Sequence, residues 1–452
     1  MFLRVGRLIA LVATVIVAGA LGGCAESAQP TATGKGDIRG INAVVTAPEI
    51  GFLIEETNLG GMNYKATTGF DRYDDLTYNF NFDMFLPGAV EPTRIATHSL
   101  DVVADQQHTI VVTGTIADPI TLDWQDPLRS WTDAETVTEV SFAHIAPRVE
   151  DMDVYFALTG TPPMAGADIG SLSSGGRLTP TDFEADEYEL ILTAAGDPAT
   201  ILFQSIPFTI LARTRITFAI FDPDPSITPD VTVNLINEGG ISSSIPDIDS
   251  RGQLRLMHGS FDVENVDGYL DGELNDLVYP DIGFQELSAY EDVDQFETLV
   301  TLTPVGNSGA TIHEDDVNVP ATSRRTAILG GTLADPFFFF AVDEARPLES
   351  FPVMRVINLA VNVSIVNVYL LEPGTPVEDV LIPTVPLLAS RVDSGFLGTA
   401  DGLREMTVTV VGESAPIAPT IELDLAAGDV VDIVILDTVD PNVFELVVFD
   451  RQ

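Results

Sequence analysis

One cysteine, Cys24, serves the whole chain of 452 residues. No internal disulfide is therefore possible, and stability has to come from apolar packing and sheet hydrogen bonds. Positive charge is scarce as well: Lys and Arg number 21 against 68 Asp and Glu, a net charge of −47. That balance excludes nucleic acid and anionic lipid surfaces as partners, because both are bound through Lys and Arg that neutralise phosphates. Beyond the N-terminal leader no apolar run is long enough to cross a bilayer, and no long amphipathic helical pattern is found. What the chain does have is 45% hydrophobic residues, which supports folded domains, and length enough for three or four of them.

The first 23 residues read as a secretory signal peptide, with a short basic head (Arg4, Arg7) and an apolar stretch from Leu8 to Ala20. They end in Leu21-Gly22-Gly23-Cys24, a run that resembles the lipobox of bacterial lipoproteins. In that family the cysteine receives lipid and becomes the new N-terminus. The resemblance implies lipidation at Cys24, and Ala25 at the next position implies transit to the outer membrane. Residues 24–37 then form a flexible tether. The acidity reads first as a solvated, self-repelling surface. A sharper reading is calcium bound near domain junctions, with Asp222, Asp224, Asp247 and Asp249 as the candidate ligands. Asp292, Asp294 and the stretch from Asp267 to Asp276 are further acidic groupings, and none of these sets has the EF-hand spacing.

Internal repetition organises the rest. Thr113-Gly114-Thr115-Ile116-Ala117-Asp118-Pro119 returns as Gly331-Thr332-Leu333-Ala334-Asp335-Pro336, as Asp437-Thr438-Val439-Asp440-Pro441, and more loosely as Asp222-Pro223-Asp224-Pro225. Each Asp-Pro corner lies between two β-rich runs and reads as the turn joining the last two strands of a unit. Corner to corner the period is 106, 111 and 105 residues. A Thr-Ile marker precedes each corner, at Ile95, Ile201, Ile312 and Ile421. Within the units, Tyr78-Asn79-Phe80-Asn81-Phe82-Asp83 alternates as a half-buried strand should, and Tyr188–Thr193, Thr298–Thr303 and Met406–Val411 hold the same place. The expected architecture is all-β: four tandem Ig-like antiparallel β-sandwiches over 38–126, 138–236, 252–345 and 352–452. Linkers are expected at 126–137, 237–251 and 345–352. Extended as a string at roughly 40 Å per domain, the four would reach on the order of 150 Å.

The unit starts carry a second resemblance. They read Arg39-Gly40-Ile41-Asn42, Ser141-Phe142-Ala143-His144, Arg255-Leu256-Met257-His258 and Arg355-Val356-Ile357-Asn358. Ala146-Pro147 and Met152-Asp153-Val154-Tyr155 follow in the second copy, Val266-Asp267-Gly268-Tyr269 in the third, and Val366-Asn367-Val368-Tyr369 in the fourth. These starts resemble a bacterial domain-of-unknown-function family found in tandem in exported proteins and lipoproteins. The first copy departs most, keeping Ala47-Pro48 but lacking the Tyr. The resemblance implies a fold and an exported location, and no activity.

Catalytic constellations are missing from the sequence. The histidines (His98, His108, His144, His258, His313) are scattered over the repeats without zinc-site spacing. No Gly-x-Ser-x-Gly elbow and no phosphate-binding Gly-rich loop occurs, and lipidation would consume the one thiol. Carboxylates are too abundant to single out a glycosidase pair. His144 and His258 align with Asn42 and Asn358, which fits a side chain bonding the backbone near the first strand, since both types can do so. Phe337–Phe340 reads as a strand buried on two faces, because four adjacent exposed Phe would invite aggregation. The chain is thus expected to be a non-enzymatic lipid-anchored envelope protein, a string of sandwiches acting as scaffold, spacer or binding module. Its partner would be an envelope protein or glycan, and it would need no cofactor beyond calcium. A calcium-stabilised ligand-binding protein is the alternative reading, and an exported polysaccharide hydrolase the less favoured one.

Overall fold

The computed structural model describes residues 31–451 apart from 165, 167–168, 224–230 and 295. Four sandwiches follow one another along the chain, and unit 1 shows the plan. Its strands are β1 (Lys35–Asn42), β2 (Ile50–Ile54), β3 (Thr57–Met62), β4 (Asp71–Asp74), β5 (Thr77–Met84), β6 (Thr93–Asp101), β7 (Gln106–Gly114) and β8 (Pro119–Pro127). They form two sheets, ordered β4-β1-β7-β8 and β3-β2-β5-β6. Neighbours run antiparallel except β1 and β7, which are parallel with Arg39 opposite Thr109.

The other units repeat this order and this parallel pair. Their first strands are Val137–His144, Gly252–His258 and Val353–Asn358, and their seventh strands are Arg215–Phe221, Arg324–Thr332 and Val430–Asp437. Four tandem β-sandwiches are thus as expected. The wiring differs from an immunoglobulin domain, whose sheets are ABED and CFG. Here the first strand shares a sheet with the fourth, seventh and eighth, and it pairs with the seventh in parallel.

The sequence markers fall at fixed places in this plan. Each unit-start tetrad is the end of a first strand, the Thr-Ile markers lie in a sixth strand or immediately before it, and the alternating runs are the fifth strands. The Asp-Pro corners at Asp118 and Asp335 begin eighth strands. Gly331 serves that turn at φ 80°, where an added Cβ would lie 2.4 Å from the Asp335 carbonyl oxygen. Inside each unit the two sheets enclose an apolar core. In unit 1 it is built on Phe52, Phe80 and Phe82, with ring centroids 5.3–5.6 Å apart.

The units do not string out as independent beads. The outer face of the sheet holding β1 and β7 is apolar too, and it packs on the matching face of unit 2. Ile41, Ala43, Val111 and Trp124 meet Ala143, Ile145, Ala219 and Phe221 there, all buried. Units 3 and 4 meet the same way through Met257, Ile328, Ile357, Leu359, Val434 and Leu436. Burying such side chains stabilises by about 1.5–3 kcal/mol each, which a string of separated domains would forgo. The Phe run lies on this second seam: Phe338 and Phe340 face the core of unit 3, and Phe337 and Phe339 face unit 4.

The expected linkers and tether are also tied down. Residues 237–251 contain a further short strand, Ser242–Ile245, that extends a sheet of unit 2. In 345–352, Leu348 and Phe351 pack with Leu86 of unit 1, and the Glu349 amide donates to the Thr46 carbonyl at 3.0 Å. At the end of the tether, Thr33 and Gly34 donate their amides to Asp75 at 2.6 and 2.9 Å.

Candidate functional site

Two of the expected site residues, Cys24 and Asp224, lie outside the described residues. Of the other calcium candidates, Asp222 and Asp247 have their carboxylates turned to backbone, and Asp249 is exposed. Asp222 is fully buried, accepts the Arg148 amide at 2.9 Å, and is held above the ordinary carboxylate range by burial. Asp247 accepts the amides of Gln204 and Asp249, both at 2.8 Å. Asp292 is bonded by Gln253, and Asp294 by Arg251. Among the described residues no group of three or more His, Cys, Asp or Glu is arranged to hold a metal ion.

The histidines are distributed rather than gathered. His98 sits 3.0 Å from the Thr121 hydroxyl, His108 lies 3.4 Å from Asp123, and His313 packs on Phe338. His144 and His258, both fully buried, bond the backbone as their exchange with Asn suggested. His258 Nδ1 accepts the Ser260 amide at 3.3 Å while Nε2 faces the Glu264 carbonyl at 3.1 Å. His144 does the same with Ala146 and Glu150.

The aspartate of the second strand has a comparable duty. Asp267 accepts the amides of Asp281 and Gly306 at 2.9 and 2.8 Å, and so ties together the turns on either side of its sheet. Asp153 likewise holds Ser171 and Gly196. The most recognisable motif residues of the repeat are therefore structural.

What the sequence reading missed is a polar groove of about 650 Å³ where unit 2 meets the end of β8. Arg129, Arg177 and Arg215 line it together with Asp123, Asp126 and Glu139, so its charge is balanced on a chain whose field is otherwise strongly negative. Arg177 makes a bidentate pair with Asp126 at 3.0 and 2.7 Å. Arg129 bonds Glu135, Glu139 and Asp182, with Asp182 the chief cause of its raised pKa. Arg215 pairs with Glu139 and donates to the Pro127 carbonyl at 3.0 Å. Behind them Arg39 bonds Thr109 and the Asn237 carbonyl of unit 2 at 2.9 and 3.0 Å. Burial, then the nearby Arg177, push its pKa down to about 10.

Both tryptophans of the chain belong to this place. Trp124 lines the groove beneath Arg177, with the guanidinium 5.6 Å from its ring, and Trp131 lies 3.9 Å from the guanidinium of Arg129. Four polar atoms here are buried outside any hydrogen bond: Glu139 Oε1 and Arg215 Nε, which form an ion pair with each other, and Arg177 Nε and Trp131 Nε1. A usable signal was present in the sequence, since the only two Trp fall within eight residues and flank Arg129.

The family model described as "Domain of unknown function (DUF4397)" matches residues 36–155 and 252–369, together more than half of the chain. Each match begins in an odd-numbered unit and ends in the second strand of the next. A solved structure titled "The Bacillus anthracis TIE protein" is 8% identical, with a TM-score of 0.15, over 86% of this chain and 66% of that one. No curated protein matches.

Proposed function

Because the chain belongs to the domain-of-unknown-function family DUF4397, we propose that it is a non-enzymatic cell-envelope protein, held at the outer membrane by lipid on Cys24, whose sandwiches form a rigid binding block. The observation that carries this reading is the pair of face-to-face seams, which fasten the four sandwiches into two pairs with a fixed junction inside each. It is supported by the commitment of His144, His258, Asp153 and Asp267 to backbone bonds, which leaves them no part in proton transfer. Among the described residues no helix is long and apolar enough to cross a membrane, so in this reading attachment rests on the acyl chains.

Cell fractionation with a metabolic fatty-acid label tests the proposal. The wild type is labelled and membrane-bound, while Cys24→Ala is unlabelled and released, because a −47 surface is repelled by anionic lipid. An unlabelled wild type, or a Cys24→Ala chain still at the membrane, defeats the reading.

A further inference from the structure

We propose that the groove between β8 and unit 2 is a binding site for a neutral saccharide; this rests on the reading of the chain as a binding block. Its lining interleaves three guanidinium groups with three carboxylates. A hydroxyl-rich ligand can accept from the guanidinium groups and donate to the carboxylates. The exposed Gln125 and Thr179 add further donors and acceptors at the rim.

Composition points the same way. Binding energy in proteins concentrates on Trp and Arg, and here a chain with two tryptophans and few cations sets Trp124 and three arginines in the lining of one groove, with Trp131 packed on Arg129 beside it. Arg177 Nε and Trp131 Nε1, buried without partners, are donors of the kind that native structures satisfy. The ligand is neutral because the lining is balanced and the chain's field repels polyanions. The seam of units 3 and 4 differs in this respect. There Arg355 is closed off by Asp343 and Asp432, at 3.0 and 2.9 Å, with the guanidinium and both carboxylates buried.

The two tryptophans make the test direct. The full-length Cys24→Ala chain, which needs no glycoside detergent, is screened on a glycan array and titrated with neutral tetrasaccharides of glucose, mannose and N-acetylglucosamine. Polygalacturonate and an acidic peptide serve as comparators. Saturable change in tryptophan emission with a neutral glycan is expected. Thr179→Arg, which fills the groove from an exposed rim position, and Arg177→Met are each expected to weaken it about tenfold or more. Arg391→Gln at the other seam should bind as wild type does. Thr179→Arg keeps the test valid if Arg177→Met fails to fold. Silence across the neutral glycans, binding of the polyanion or peptide alone, or full binding by Thr179→Arg overturns the proposal. None of these outcomes bears on membrane attachment, which the fractionation reads separately.

Discussion

His258 and Asn358 stand at the ends of two different first strands, share one backbone contact, and spend their second on carbonyls 6 and 30 residues away. Nδ1 of the one and Oδ1 of the other accept the amide two residues further on, at 3.3 and 3.2 Å. Nε2 of His258 faces the Glu264 carbonyl, and Nδ2 of Asn358 donates to the Leu388 carbonyl. The position asks for one acceptor and one donor about an imidazole's width apart, and a neutral His or an Asn meets that demand.

His258→Asn should therefore fold with stability within about 1 kcal/mol of wild type at pH 7.5. Burial holds the His258 pKa below its ordinary value. Its contribution to stability is then complete above the unfolded value of about 6.5 and fades as pH falls through the folded one. Denaturation curves at falling pH should show the variant losing less stability than wild type. Parallel losses would mean that this histidine is not the buried neutral group described.

Asp222 works in the opposite direction. Its folded pKa is raised, so its contribution is complete below about pH 3.9 and is lost as pH rises through the folded value. Asp222→Asn keeps an acceptor for the Arg148 amide and removes the buried charge. We expect a higher melting temperature than wild type at pH 7 and no gain at pH 3. A lower melting temperature at pH 7 would show that the charge stabilises the fold.

Arg355 is the cation of the seam between units 3 and 4. Burial pulls its pKa down, and Asp432 and Asp343 more than reverse that. Arg355→Met takes the guanidinium away from two buried carboxylates, of which Asp343 keeps Arg255 at 3.8 Å, and should cost about 3–5 kcal/mol in thermal or urea melts. The exposed Arg391 pairs with an exposed Asp335, and its removal should cost less than about 1 kcal/mol.

Ala219 is fully exposed to unit 1 and fully closed to solvent. Ala219→Glu puts an unpaired charge into the first seam, which opens rather than bury it. Small-angle scattering should report a larger radius of gyration, and the melt should show a separate early transition. Unchanged scattering and melting would contradict the face-to-face packing of units 1 and 2.

The sequence made the repeat, the strands and the corners legible because turn chemistry and period-two alternation are local properties. Thr77–Met84 and its counterparts could be placed from side-chain order alone. The seams had a local signature that an alternation template overlooks. Ile110-Val111-Val112, Phe218-Ala219-Ile220-Phe221 and Ile433-Val434-Ile435-Leu436 are apolar without alternating, and strands read that way when both faces are covered. That signature tells of a second covered face and not of what covers it. The groove was less legible still, because Trp124, Glu139, Arg177 and Arg215 come from four strands and loops of two units, and only the seam brings them together.

The parallel pairing of first and seventh strands sets a timetable for the nascent chain. Arg39 waits 70 residues for Thr109, Ser141 waits 76 for Thr217, Arg255 waits 71 for Thr326 and Arg355 waits 77 for Asp432. Arg39 reaches its partner in unit 2 only 198 residues later. Contacts so distant along the chain cost loop-closure entropy before they give anything back, and they slow folding. Each sandwich therefore stays open until most of it has been made, and its apolar strands wait unpaired while the last of them are still being synthesised.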